Sequence, residues 1–176
     1  TERKRIERAL IDARAEQSDL QRRLTTIINA SGALLTSPRT EDVLTAILEL
    51  ARQVLPADAT AVWTEKDGQW RPAASTGLSE WFLAALVPGG TELDITDDAP
   101  LTAESLDDAR LSARRTACER EGIKAVLAIP LRPAPELRAG IAFYYRTERT
   151  FGVVERESAS GLARLASAAI TTSFLY

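Results

Sequence analysis

The first thirty-odd residues carry a repeat that very few structures satisfy. Ile6, Leu10, Ala13, Gln17, Leu20, Leu24, Ile27, Ser31 and Leu34 follow one another at alternating spacings of four and three. The charged residues Arg3, Arg5, Glu7, Arg8, Asp12, Arg14, Glu16 and Arg22 fall outside that row. This is a heptad seam on a helix. At about 1.5 Å per residue the helix would run roughly 50 Å, more than one small domain can cover. Its first half therefore needs a partner, and parallel pairing with a second copy of the chain is the expectation. The alternative is a helix that is solvated or frayed at this end. Gln17 and Ser31 occupy seam positions, where polar side chains cost stability but fix register and helix number.

The repeat ends near Ser37 and Pro38, a residue suited to an N-cap followed by one suited to a first helical turn. This divides the chain into a helix over 1–36 and a domain over 37–176. Val43, Leu44, Ile47, Leu48, Ala51 and Val54 give a second helix, stopped by Pro56. From Ala57 the period changes to two, and Asp67-Gly68 turns the chain into a strand from Trp70 to Thr76. Ser79 opens a short helix, Glu80 to Val87, before Pro88-Gly89-Gly90. Weak strands near Leu93–Ile95 and Leu101–Leu106 precede a helix from about Asp108 to Glu121, ended by Gly122. Lys124–Leu131 and Leu137–Arg146 read as two central strands, and a last helix follows Phe151-Gly152. The pattern predicts an α+β fold, with an antiparallel sheet and the terminal helices bundled on one face.

Composition then removes whole classes of chemistry. The 176 residues contain no histidine and one cysteine, Cys118. Ser-His-Asp and Cys-His nucleophile pairs, His-ligated zinc and a proximal haem histidine are all unavailable. A single thiol forms no internal disulfide, which fits a reducing, cytoplasmic setting. With 22 basic and 25 acidic side chains, the net charge of −3 offers no general attraction to nucleic acid or anionic lipid. No apolar run reaches a membrane span, so no direct membrane contact is expected. The sequence begins at Thr1, and we read it as a segment of a longer chain.

Three stretches carry a family resemblance. TEDVLTAILELARQVLPADATAVWTEKDGQWRPAASTG, GIKAVLAIPLRPAPELRAGIAFYYR and FGVVERESASGLARLASAAI together resemble a GAF domain over about residues 22 to 176. The middle stretch is the most telling, with an apolar strand ending in Pro-Leu and a second strand opened by Gly. The resemblance implies a six-stranded antiparallel sheet, with the first, second and last helices on one side. On the other side it implies a small-molecule pocket under a lid between about Gly89 and Gly122. It also implies a non-catalytic sensory module of a larger signalling protein, such as a two-component sensor kinase, dimerising through its terminal helices. A ligand-free dimerisation spacer is the alternative.

Each class of ligand known for the family requires particular residues. Members that bind cyclic nucleotides resemble one another in an Asn-Lys pair, a Phe and an Asp-Glu. Here Phe151 and Glu155 fit, but Arg156 follows and Tyr145-Arg146 stands at the Asn-Lys position. Cyclic nucleotides are therefore disfavoured, and an Arg146–Glu155 ion pair is the expected structural remnant. Bilin attachment is disfavoured because Cys118 sits close to the following strand with no histidine beside it. Haem is disfavoured for want of histidine, so no cofactor is expected. The sulfoxide-reductase chemistry of other members needs a second thiol. The acids from Glu92 to Asp108 lack the spacing of a calcium loop and read as a solvated segment. Alternation along the last strand leads us to place small Gly140 and Ala142 under the helices. Phe143 and Tyr145 would then face the pocket, either lining it for a ligand or filling it, beneath Arg110 and Arg114. Trp63 and Trp81 are read as core.

Overall fold

The structure is a computed structural model that describes residues 1–30, 40–87, 100–135 and 137–175. Helix α1 (Glu2–Ala30) leads to α2 (Thr40–Val54), then strands β1 (Ala59–Lys66) and β2 (Gln69–Thr76) and the short helix α3 (Glu80–Leu86). Strand β3 (Leu101–Ala103), a 3₁₀ segment (Ala109–Arg114) and α4 (Arg115–Glu121) follow. The central strands β4 (Ala125–Ala134) and β5 (Leu137–Tyr145) and the long α5 (Val153–Leu175) complete the order. The strands pair antiparallel in the order β2-β1-β5-β4-β3. The described residues thus hold five strands rather than six, and the weak strand read at Leu93–Ile95 lies outside them.

Local chemistry accounts for most boundaries. Asp67 and Gly68 both have positive φ, 54° and 76°, the requirement of a two-residue type I′ hairpin turn. Pro72 lies in β2, an edge strand where a missing N–H costs no ladder bond to an outer neighbour. Ser79 caps α3, its Oγ accepting from the Phe82 N–H at 3.1 Å. The helix read from Asp108 to Glu121 is divided. Asp108 caps a 3₁₀ segment, and a regular helix begins only at Arg115 and ends at left-handed Gly122.

Two cores lie on opposite faces of the sheet. On one face, Val43, Ile47 and Ala51 of α2 and Ala159, Leu162, Ala166 and Ile170 of α5 meet Leu127 and Ile129 of β4 and Ile141 and Phe143 of β5. On the other, Trp63, Trp70, Val126, Ala128, Ala142 and Tyr144 lie beneath Phe82, Leu86, Leu111, Cys118 and Ile123. The orientation expected for β5 is therefore reversed. Phe143 and Tyr145 face the helices, and Ala142 faces the lid elements α3 and α4. The small residues that admit close helix approach are on the helices themselves, Ala51, Ala159, Ala163, Ala166 and Ala169. Gly140 instead stands in register with Trp63, whose indole occupies the lid face.

Along α1, residues 1–17 are exposed, including the seam residues Ala13 and Gln17. Ile6 and Leu10 are 64% and 52% exposed, large apolar side chains uncovered within one chain. Leu20, Leu24 and Ile27 lie on the same helix, while Ser31, Leu34 and the boundary between residues 36 and 37 fall outside the described residues. Among the described residues no helix is long and apolar enough to cross a membrane.

Candidate functional site

The lid face is built from β1, β4 and β5 below and α3, the 3₁₀ segment and α4 above. Leu111, Arg114 and Cys118 recur at helical spacing, and all three are buried against the sheet. Beneath them Tyr144 Oη accepts a hydrogen bond from Trp63 Nε1–H at 3.1 Å, and the Phe82 ring meets the Tyr144 ring edge-on with centroids 5.6 Å apart. Buried Arg114 brings a positive charge to the same face. Loss of water pushes the Cys118 and Tyr144 pKa values up to about 11 and about 12, outweighing the Trp63 hydrogen bond to Tyr144 and the Arg114 charge, which draw them down. Both groups are protonated at neutral pH, and the thiol is a packing element rather than a nucleophile.

This burial has a consequence for alkaline stability. Unfolded, the Cys118 thiol and the Tyr144 phenol ionise near 9.0 and 10.0; folded, they hold their protons to about 11 and about 12. Above pH 9 the unfolded chain sheds these protons first, so stability falls as pH rises through this window. By pH 11 Tyr144 alone contributes on the order of 1 kcal/mol to that loss. Denaturant midpoints measured from pH 8 to 11 should decline, and Cys118→Ser should flatten the earlier part of the curve. A profile flat to pH 11 would refute the burial of these groups.

The structure does not bring the four residues proposed for ligand contact together. Phe143 and Tyr145 are on the helix side, across the sheet from Arg114. Arg110 lies at the half-exposed start of the 3₁₀ segment, donating to the Asp108 carboxylate at 2.7 Å and to the Thr102 carbonyl. That pairing holds the Asp108 carboxyl below its usual range and commits Arg110 to the turn. The expected Arg146–Glu155 pair is replaced by Arg149–Glu155 at 3.3 Å, while Arg146 reaches the Gly77 and Glu121 carbonyls. Trp81 is 39% exposed rather than core, with the Arg120 guanidinium 3.8 Å from its ring centre. Of the acidic run, Glu92, Asp94, Asp97 and Asp98 lie outside the described residues, and no group of metal-ligating side chains is found among the described ones.

A separate groove of about 350 Å³ opens at the tip of the β4–β5 hairpin, among Trp70, Pro130, Arg132, Pro133, Pro135 and Arg138. Arg138 there pairs with Glu65 at 3.0 Å and lies 5.8 Å from the Trp70 ring centre, so its charge is compensated within the chain. The reading of Trp63 as core agrees with its burial, but its hydrogen bond to Tyr144 and this groove were not legible in the sequence. The helical spacing of Leu111, Arg114 and Cys118 was the available pointer to the lid face.

An antiparallel sheet with a helical layer on one face and short helices over a buried aromatic cluster on the other defines an α+β domain. The GAF domain family model matches residues 39–170. The chain belongs to the GAF domain family, whose members are generally sensory or regulatory. It is similar to a domain from Sinorhizobium meliloti described as part of a two-component sensor histidine kinase, at 26% identity and a TM-score of 0.65, covering 74% of this chain and 90% of that one. It also resembles the GAF domain of a phosphoenolpyruvate-protein phosphotransferase from Coxiella burnetii, at 19% identity and a TM-score of 0.68, covering 89% and 95%. A third similar structure is the phycoerythrobilin-bound GAF domain of a cyanobacterial phytochrome, at 20% identity and a TM-score of 0.63, covering 90% and 96%. No curated protein matches the sequence.

Proposed function

We propose that this chain is a non-catalytic sensory module of a larger, cytoplasmic signalling protein of the sensor-kinase kind. Two copies pair along the α1 seam, a small molecule binds on the lid face, and the terminal helices pass on the change. The observation that carries this reading is the row of exposed apolar residues on α1, Ile6 and Leu10 at heptad spacing, attached to a GAF domain. An uncovered seam of this period is satisfied by another helix of the same pattern. Bilin, haem and cyclic nucleotides have no place in this reading. The chain has no histidine, the Cys118 thiol is buried and protonated, and Arg146 is engaged by backbone carbonyls.

A second reading, a ligand-free dimerisation spacer, is favoured by one observation: Phe82, Leu111, Trp63 and Tyr144 already fill much of the lid face. Thermal unfolding across a metabolite panel separates the two. A ligand at 100 times its dissociation constant adds about 2.7 kcal/mol and raises the midpoint by several degrees. Such a shift, lost in Leu111→Phe where the lid face is overfilled, is expected for the sensor. No shift from any compound at millimolar concentration would favour the spacer.

A further inference from the structure

Residues 146–152 join the last strand to α5, and both ends of this connection are fastened to elements of the lid side. At its start the Arg146 guanidinium donates to the carbonyl of Glu121, the last residue of α4, and to that of Gly77 at 3.3 Å. The Glu121 carboxylate accepts the Ser79 N–H at 2.8 Å and the Ser79 hydroxyl at 2.7 Å, the same hydroxyl that caps α3. At its far end the connection is held by Glu104, the residue after β3. The Glu104 carbonyl accepts the Arg149 N–H at 3.2 Å, and its carboxylate accepts the Phe151 N–H at 3.3 Å. Arg149 then pairs with Glu155 in the first turn of α5, and the Arg156 N–H closes that turn on the Gly152 carbonyl at 3.1 Å.

Glu104 is also tied to the roof of the lid face. Between it and the fully buried Leu111, Asp108 N–H donates to the Ser105 carbonyl at 3.3 Å, and Arg110 bridges the Asp108 carboxylate and the Thr102 carbonyl. The stretch from Thr102 to Leu111 is thereby one hydrogen-bonded unit, with Leu111 against the aromatic cluster and Glu104 against the entrance to α5. We propose that Glu104, seconded by Arg146, links the lid face to the first turn of α5, so that displacement of the lid loosens or tightens that turn. This rests on the sensory reading above and supplies its route through the domain. Proximity alone is not coupling, so the test is a thermodynamic cycle.

The experiment follows amide hydrogen exchange in the intact chain at Arg156, Glu157 and Ser158, corrected for each variant's global stability. Leu111→Val, a small loss on the lid face, should speed exchange at these amides by about threefold to tenfold, the range for weakening one hydrogen-bonded contact. In the Glu104→Ala background the same substitution should change it by less than about twofold. Glu104→Gln, whose side-chain oxygen still accepts the Phe151 N–H, should restore the response, and Arg146→Gln should reduce it. Ile47→Val, on the opposite face, should give no difference between backgrounds. Equal effects of Leu111→Val with and without Glu104, or none in either, would overturn the linkage. Ligand binding with no such cycle would leave the sensory reading standing without this route. A positive cycle with no ligand found would do the reverse.

Discussion

Phe143→Ala is expected to cost about 3 to 5 kcal/mol of folding stability in denaturant unfolding, the range for removing a buried Phe ring. The ring is fully buried and sits in register between Thr60 of β1 and Leu127 of β4, facing α2 and α5. Those helices are held at their distance from the sheet by Leu162, Ile47 and Ile170, which cannot all move inward to close the gap. The loss should therefore combine the transfer of the ring to water with a residual cavity. A cost below about 1 kcal/mol would mean that the site collapses, or that the ring does not pack there. Because Phe143 lies across the sheet from the lid, its truncation should leave the affinity of a lid-face ligand unaltered once stability is accounted for.

Ile6→Asp combined with Leu10→Asp should convert the assembled chain to monomers in sedimentation velocity. Both side chains are exposed in one chain and stand on the proposed seam of a helix of 29 residues. If two copies bury that seam, each new carboxylate must lose its hydration in an apolar row or be displaced from it, a cost of several kcal/mol. Association should weaken by at least about a thousandfold, since roughly 4 kcal/mol corresponds to that factor. The double variant should keep the far-UV circular dichroism of a folded domain, because no residue buried within one chain is touched. Assembly of undiminished affinity in the double variant would sink the proposal that this seam pairs the chains. Gln17→Leu should act in the other direction, strengthening assembly while loosening its choice of register or number.

These two sets of residues were legible to different degrees. The proposed seam is read from spacing alone, a four-three alternation that puts its residues on one side of a helix. The turn at Asp67-Gly68, the cap at Ser79 and the stop at Gly122 are similarly local, each set by a backbone angle or one short hydrogen bond. The succession of helices and strands, and with it the GAF resemblance, was legible for the same reason. Which face of β5 meets the helices was not. Ala139, Ile141, Phe143 and Tyr145 on one side, and Ala142 and Tyr144 on the other, are all buried, so period two separates the sets without saying what covers each. That was decided by volume: α2 and α5 bring alanines to the sheet and leave space for Phe143, while Trp63 takes the room above Gly140.

The polar partners were settled in the same way. Glu155 is within a turn of Arg149 once the connection is fastened by Glu104, and Arg146 is drawn away to the Gly77 and Glu121 carbonyls. The sequence by itself determined most of the elements, their order, the family and the absence of histidine chemistry, because those depend on near neighbours and on composition. Only the tertiary structure decided which side chains share the lid face and which ion pairs form. Those depend on residues tens of positions apart competing for the same volume and the same few hydrogen-bond acceptors.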